Sequence, residues 1–311
     1  MVQVGNAKSS FLKRLGRNIQ KHPQIYLMLL PVVIAFIVFA YMPMGGLVIA
    51  FQNYSPRMGI LGSKWVGFKW FEDFFHDMFF FRLLRNTFTI NLLDILIGFP
   101  APILLALMLN SLRSRAAKAT LQTMMYLPYF ISMMVICGII TEFVSRDGIV
   151  NDLIELMGGK RSGLLNNPAA FQPIYVLSNL WQLAGWNSII YMAAMSAIDA
   201  SLYDAAYVDG CGRLRQVWHV TLPGILPTIV IMLILRIGNI LTVGYEKIIL
   251  LYNPMTYETA DVISSYVYRR GIEEANYSYA TAVGLFNSVL NCLFLFAANT
   301  FSRKATEQSL W

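Results

Sequence analysis

The sequence predicts an all-α fold, a polytopic bundle of six transmembrane helices, and three observations carry that prediction. Charged residues make up only 13% of the 311-residue chain and apolar residues 57%, whereas soluble domains carry about 25% charge. The mean hydropathy is +0.54. The apolar residues are also gathered into six runs, each near the roughly 20 residues that a helix needs to cross the hydrocarbon core.

The first run, 25–44 (IYLMLLPVVIAFIVFAYMPM), follows a long basic leader and ends without a small-residue cleavage site, so it is expected to be a retained helix rather than a signal peptide. The others are 87–109, 121–143, 173–198, 222–245 and 280–301. Pro31, Pro100, Pro102, Pro128 and Pro227 interrupt them, which membrane helices tolerate where neighbours satisfy the freed backbone. The expected organisation is a tail over 1–24, a membrane domain over 25–301 and a second tail over 302–311. Residues 42–86 form a long aromatic loop (KWVGFKWFEDFFHDMFFF within it), in which Trp65, Phe68, Trp70 and Phe71 suit a helix lying at the membrane interface. His76 reads as a surface residue.

Orientation follows from basic residues in short segments beside the spans. The N-terminal tail (Lys8, Lys13, Arg14, Arg17, Lys21) and the compact loop with Arg113, Arg115 and Lys118 favour the cytoplasmic side, joined by Arg213, Arg215, Arg303 and Lys304. Both termini are therefore expected inside, although Arg82 and Arg85 argue weakly the other way. The net charge of +7 fits basic flanks rather than nucleic-acid binding. Cys137, Cys211 and Cys292 lie far apart, with neither metal spacing nor a disulfide framework. The nearest approach to an ATP-binding loop, GGKRS at 158–162, lacks the spaced first glycine and has Arg161 where Ser or Thr holds magnesium. The chain does not read as an enzyme by itself.

The stretch 204–223, DAAYVDGCGRLRQVWHVTLP, is a polar interruption between apolar runs. Asp204 suits a first helical turn, Ala205 and Ala206 favour helix, and Gly210 can end it in a left-handed turn. A second short helix is expected from Gly212 to about His219, with Pro223 starting the fifth span. The plainer reading is an ordinary amphipathic loop.

Within the runs, ionisable groups are functional candidates. Asp94 sits mid-way along the second and Arg236 mid-way along the fifth. They either pair, or Arg236 faces a pathway and meets an acidic or hydroxyl-rich ligand. Asn179, Trp181, Trp186, Asn187 and Tyr191 gather on the fourth run, with Tyr245 and Glu246 near the end of the fifth. Rings that stack on sugar C–H faces, beside amides that bond hydroxyls, suit a carbohydrate path; helix packing with interfacial tryptophans is the alternative.

The polar stretch resembles the EAA motif of bacterial ABC-importer permeases. Asp204-Ala205-Ala206, Asp209-Gly210-Cys211 and Leu222-Pro223 fall at its spacing, with Asp204 in place of Glu and Cys211 in place of Ala. RNTFTI (85–90), YLPYF (126–130), GIVNDLIELMG (148–158), GYEKIILLYNP (244–254) and the terminal LW extend the resemblance to maltose-type sugar-importer permeases, most of all to the group taking up polysaccharide fragments and complex oligosaccharides. The resemblance implies that 199–223 is a coupling loop seated on a separate ATPase subunit, where Asp204 meets a basic or hydrogen-bonding group. It implies a second homologous permease, two ATPase subunits that hold ATP and magnesium, an extracytoplasmic binding protein received by the outer loops, an oligosaccharide substrate, and residence in a bacterial cytoplasmic membrane. It also implies sugar contacts at Asn179 and Trp186, seven residues apart, and in 236–246, where Asn239 is the obvious amide. Two other classes remain possible from the residues. An ion-gradient-driven secondary transporter would need intramembrane carboxylates, of which Asp94 is the one candidate. A membrane receptor or assembly factor would use 204–223 as a scaffold.

Overall fold

The computed structural model describes residue 18, residues 20–306 and residues 308–311. Lys8, Lys13, Arg14, Arg17 and Glu307 lie outside the described residues.

The first apolar run forms α1 (Pro23–Phe36), which continues through a widened turn and one further helical turn into a tight 3-10 segment, Gly45–Phe51. No residue of α1 is buried, and only the Gly45–Phe51 end packs on the last helix of the chain. The aromatic loop then makes a two-residue antiparallel pairing, β1 (Gln52–Asn53) with β2 (Lys64–Trp65), in the register Gln52 to Trp65. The expected interfacial helix is the short α2 (Lys69–Phe75). It is pinned rather than floating: Trp70 Nε1 donates to the Gln52 carbonyl at 2.8 Å, and Phe74 is buried against Phe80 and Phe286. Trp65 and Phe68 stay exposed.

The second run is α3 (Phe80–Leu93) and α4 (Pro100–Ser111), one 32-residue helix joined by a wide turn at Asp94–Gly98. Pro100 and Pro102 each lack the N–H that would bond back one turn, and the widened turn absorbs the mismatch. The third run is not one straight span. Helix α5 (Arg115–Tyr126) ends in a 3-10 turn over Leu127–Phe130, Ile131 is extended, and α6 (Met133–Val144) leaves at 101°. Pro128 supplies the physical reason, since it cannot donate within the helix and sits where the chain tightens. A short α7 (Ile149–Leu156) follows.

The fourth run is the hub. Helix α8 (Pro168–Ser196) is 29 residues long, about 43 Å at 1.5 Å per residue, and packs on α3, α4 and α5. At Gly185 a Cβ would lie 1.9 Å from the Met125 carbonyl oxygen, so only glycine allows α8 to approach the end of α5 this closely. The helices α9 (Ala200–Val208) and α10 (Arg213–Gln216) make an elbow. The expected second short helix is not separate: α10 runs through a wide turn at Val217–Thr221 into α11 (Leu222–Ile237), giving one 25-residue helix from Arg213. The wide turn accommodates Pro223 without a break. Helix α11 stops at Ile237 rather than near 245. The chain turns at Gly238–Leu241 and re-forms α12 (Tyr245–Leu251), α13 (Ile263–Tyr268) and the 30-residue α14 (Tyr277–Thr306). Helix α14 is clipped by the chain end, where Leu310 N–H donates to Asn299 Oδ1 at 2.8 Å.

Among the described residues, four helices are long and apolar enough to cross a membrane, and five if the bent α5–α7 pair counts as one. Helix α8 has the length but not the composition, because Ser178, Asn179, Gln182, Asn187 and Ser188 interrupt its apolar run.

At the end of the bundle near α2, polar ties cross long stretches of chain. Asp261 is fully buried and holds Arg269 at 2.7 Å and Arg82 at 3.4 Å. Asn86 Nδ2 donates to the carbonyls of Glu258 and Asp261, both at 2.9 Å. Asp77 accepts from the hydroxyls of Tyr266 and Tyr279. Burial pulls the Asp77 carboxyl upward, but those hydroxyls, the Phe79 N–H and the Arg270 charge outweigh it and hold the group below the ordinary aspartate value.

Candidate functional site

Two places gather the residues singled out from the sequence. The first is the elbow. Asp199 caps α9 by accepting from Ser201 N–H at 2.9 Å, and that bond lowers its pKa. At the other end Gly210 has φ +73°. Cys211 N–H donates to the Ala206 carbonyl at 2.9 Å and Gly210 N–H to Tyr207 at 3.0 Å. This paired closure satisfies the last carbonyls of α9 and requires a left-handed residue after the helix. Tyr203 and Thr221 hydroxyls lie 3.0 Å apart and tie α9 to the wide turn that leads into α11. Asp204, Ala205, Asp209 and Pro223 are exposed, Ala206 is buried, and Leu222 is half-buried. Tyr207, Val208, Leu214 and Trp218 are also exposed.

The second place is a seam through the bundle. Two adjoining cavities of about 130 Å³ and about 200 Å³ share Asp94, Asn179, Leu183 and Arg236 in their walls. Asn187 and Tyr191 line the smaller one. Asp94 and Arg236 are ion-paired, with Asp94 buried and Arg236 partly open. Asn179 Oδ1 accepts from Lys247 Nζ at 2.8 Å, and Gln182 Oε1 lies 3.4 Å from the same nitrogen.

The remaining sequence candidates are dispersed. Trp186 stacks on Tyr129 with ring centroids 4.3 Å apart and planes within 1°, and Phe130 meets it edge-on. Tyr245 stacks on Tyr268 at 5.5 Å and shares a separate cavity with Glu246. Trp181 lines a further, apolar cavity with Ile139, Ile140 and Phe143. It stands two residues, about 200° of helix rotation, from Asn179, so the two face opposite ways. Asn239 bonds back to the Leu235 carbonyl at 3.0 Å, in the turn after α11, and lines neither seam cavity. Lys247, Gln182 and Tyr129 were not singled out from the sequence. Lys247 had a signal, as the one basic residue in YEKIILL, directly before the apolar run IILL; Tyr129 was inside YLPYF but had no partner in sequence to point to.

Residues 98–307 match the family described as binding-protein-dependent transport system inner membrane component. The chain belongs to this family. Two Bacillus subtilis (strain 168) proteins are 43% identical to it: protein LplB, over 92% of this chain and 91% of that one, and the polygalacturonan/rhamnogalacturonan transport system permease protein YteP, over 96% and 94%. A chain in the crystal structure of a bacterial ABC transporter involved in import of the acidic polysaccharide alginate superposes with TM-score 0.84 at 44% identity, covering 94% of this chain and 99% of that one. A chain of the same kind of transporter, in complex with an alginate pentasaccharide-bound periplasmic protein, gives 0.85 at 44% identity, covering 96% and 100%. The protein is thus the membrane permease component of an ABC importer, a transport subunit rather than an enzyme.

Proposed function

We propose that this permease forms, with a second homologous permease, the membrane path for an oligosaccharide delivered by an extracytoplasmic binding protein. The observation that carries the reading is the seam: amides and charges of α3, α8, α11 and α12 meet around adjoining cavities inside a membrane fold. Asn179, Asn187, Tyr191, Asp94 and Arg236 line the path, and the Trp186–Tyr129 stack offers a ring face. Names of similar proteins support the sugar class, since one carries polygalacturonan or rhamnogalacturonan and another alginate. The elbow 199–223 seats on an ATPase subunit through Asp204 and its exposed apolar side chains, Tyr207, Val208, Leu214 and Trp218. ATP and magnesium belong to two such partner subunits. All six runs span the membrane over 25–301, with α8 crossing by virtue of its neighbours, and both tails (1–24, 302–311) lie inside. The ion-gradient alternative loses its one coupling carboxylate, because Asp94 is engaged by Arg236.

The test is reconstitution of the purified complex in proteoliposomes. Oligosaccharide uptake is expected only when ATP, the ATPase subunits and the loaded binding protein are all present. In the same vesicles a cysteine at Ser114 is expected to react with impermeant reagents from the cytoplasmic face, and one at Lys160 from the opposite face. Uptake driven by an ion gradient without ATP, or reversed labelling, would overturn the function or the orientation respectively.

A further inference from the structure

We propose that Lys247 is the anion-reading residue of the seam, and that the imported oligosaccharide carries carboxylates. The inference rests on the permease reading above and sharpens its substrate class.

The argument starts from charge. The larger seam cavity has three charged groups in its wall, Asp94, Arg236 and Lys247. Asp94 and Arg236 neutralise one another, which leaves the charge of Lys247. Its residue is 2% exposed, and among the described residues no carboxylate lies within salt-bridge distance of it. Glu246, its neighbour in sequence, lines a different cavity. Burying an unpaired ammonium is costly, and such groups persist where something uses them.

The surroundings of Lys247 hold a cation without cancelling it. An ammonium has three N–H donors and no acceptor. Two of them meet the amide oxygens of Asn179 and Gln182, and the Tyr175 ring lies 5.6 Å from Nζ, a further attraction for positive charge. The third N–H is left for a ligand in the cavity. One spare positive charge matches one carboxylate, whereas a phosphate carries nearly two negative charges. Lysine also presents a point charge with rotatable donors rather than the fixed fork of arginine. That suits successive uronate rings passing one contact in varied orientations. A neutral sugar would leave the third donor and the charge uncompensated, which is how a polar site rejects an analogue.

The test uses the assembled complex of both permeases and the ATPase subunits, with tetragalacturonate and its carboxyl-reduced, neutral tetramer as probes. Binding is read by tryptophan fluorescence without the binding protein, so that the binding protein's own selectivity plays no part. The wild type is expected to bind the acidic tetramer at least about tenfold more tightly, the size of one charge-assisted bond. K247M is expected to lose that preference, and K247R to retain much of it. Equal affinity of the wild type for the two tetramers would overturn the inference, and this arm stands even if K247M fails to assemble. A K247M complex that keeps the acidic preference would overturn it as well. In parallel proteoliposomes, ATP-dependent uptake of the neutral tetramer alone would defeat the inference while leaving the permease reading intact; no ATP-dependent uptake of any sugar would defeat the permease reading itself.

Discussion

The elbow and the seam are built on opposite principles. Every bond that shapes the elbow joins residues within about one helix-turn-helix of chain: Asp199 to Ser201, Cys211 to Ala206, Tyr203 to Thr221. The seam joins residues 65 to 142 positions apart, from Gln182 with Lys247 to Asp94 with Arg236. The elbow faces outward and satisfies its own backbone, leaving side chains free for a partner. The seam faces inward and consumes its own charges, except one. An outward-facing turn can thus be assembled locally, but cavities between helices need the whole bundle.

The sharpest way to break this contrast is to unpair the seam. Asp94→Asn leaves Arg236 without its carboxylate. Breaking a buried pair from one side costs about 3–5 kcal/mol, and the partial exposure of Arg236 puts the expected loss near the lower end. Melting of the detergent-purified complex reads it. The double change D94N with R236Q is expected to recover most of the loss. A single mutant as stable as wild type would mean that the pair contributes nothing.

The end of the bundle near α2 is the intermediate case, long-range like the seam but reaching the surface at Arg270. Asp77→Asn removes a charged acceptor from Tyr266 and Tyr279, worth about 1.5–3 kcal/mol. Because the folded Asp77 pKa is depressed, the wild-type advantage is fully present above the unfolded aspartate value of about 3.9. It is lost as pH falls through the lower folded value. Unfolding followed from neutral to acid pH should therefore show the two proteins converging in acid. A difference that grows towards acid would reverse the assignment.

The elbow is expected to give the smallest change in stability and a distinct change in function. Gly210→Val forces a β-branched residue to φ +73°, at about 1–2 kcal/mol, with the cost confined to the turn. Assembly should survive. ATP hydrolysis stimulated by the loaded binding protein should fall, since the elbow can no longer hold Asp204 in register. Unchanged stimulation with a destabilised bundle would show that the elbow is not a local unit.

Different parts of this protein were legible to different degrees. The six apolar runs, the aromatic loop and the EAA-like spacing are visible in the chain because composition and short spacing record what a segment does alone. Gly210 was readable for the same reason: a left-handed turn after α9 depends on its own φ and on carbonyls three and four residues back. The break at Ile131 and the early end of α11 were not, since a proline or glycine in a run marks a possible turn without saying whether neighbours will pack it straight. The stacking of Trp186 on Tyr129 needed Gly185 to bring α8 against the end of α5. Trp181 and Asn179 sit two residues apart in sequence, and only packing decided that one faces apolar side chains and the other a cation.

By itself, then, the sequence determined the membrane class, the approximate helical runs and the left-handed turn at Gly210, because hydrophobic transfer and helix capping act over one span or less. The tertiary structure alone decided that Arg236 is spent on Asp94 and that, among the described residues, Lys247 is not spent on any acid. Burial without compensation is a property of everything that surrounds a side chain, and those surroundings come from helices far apart in the chain.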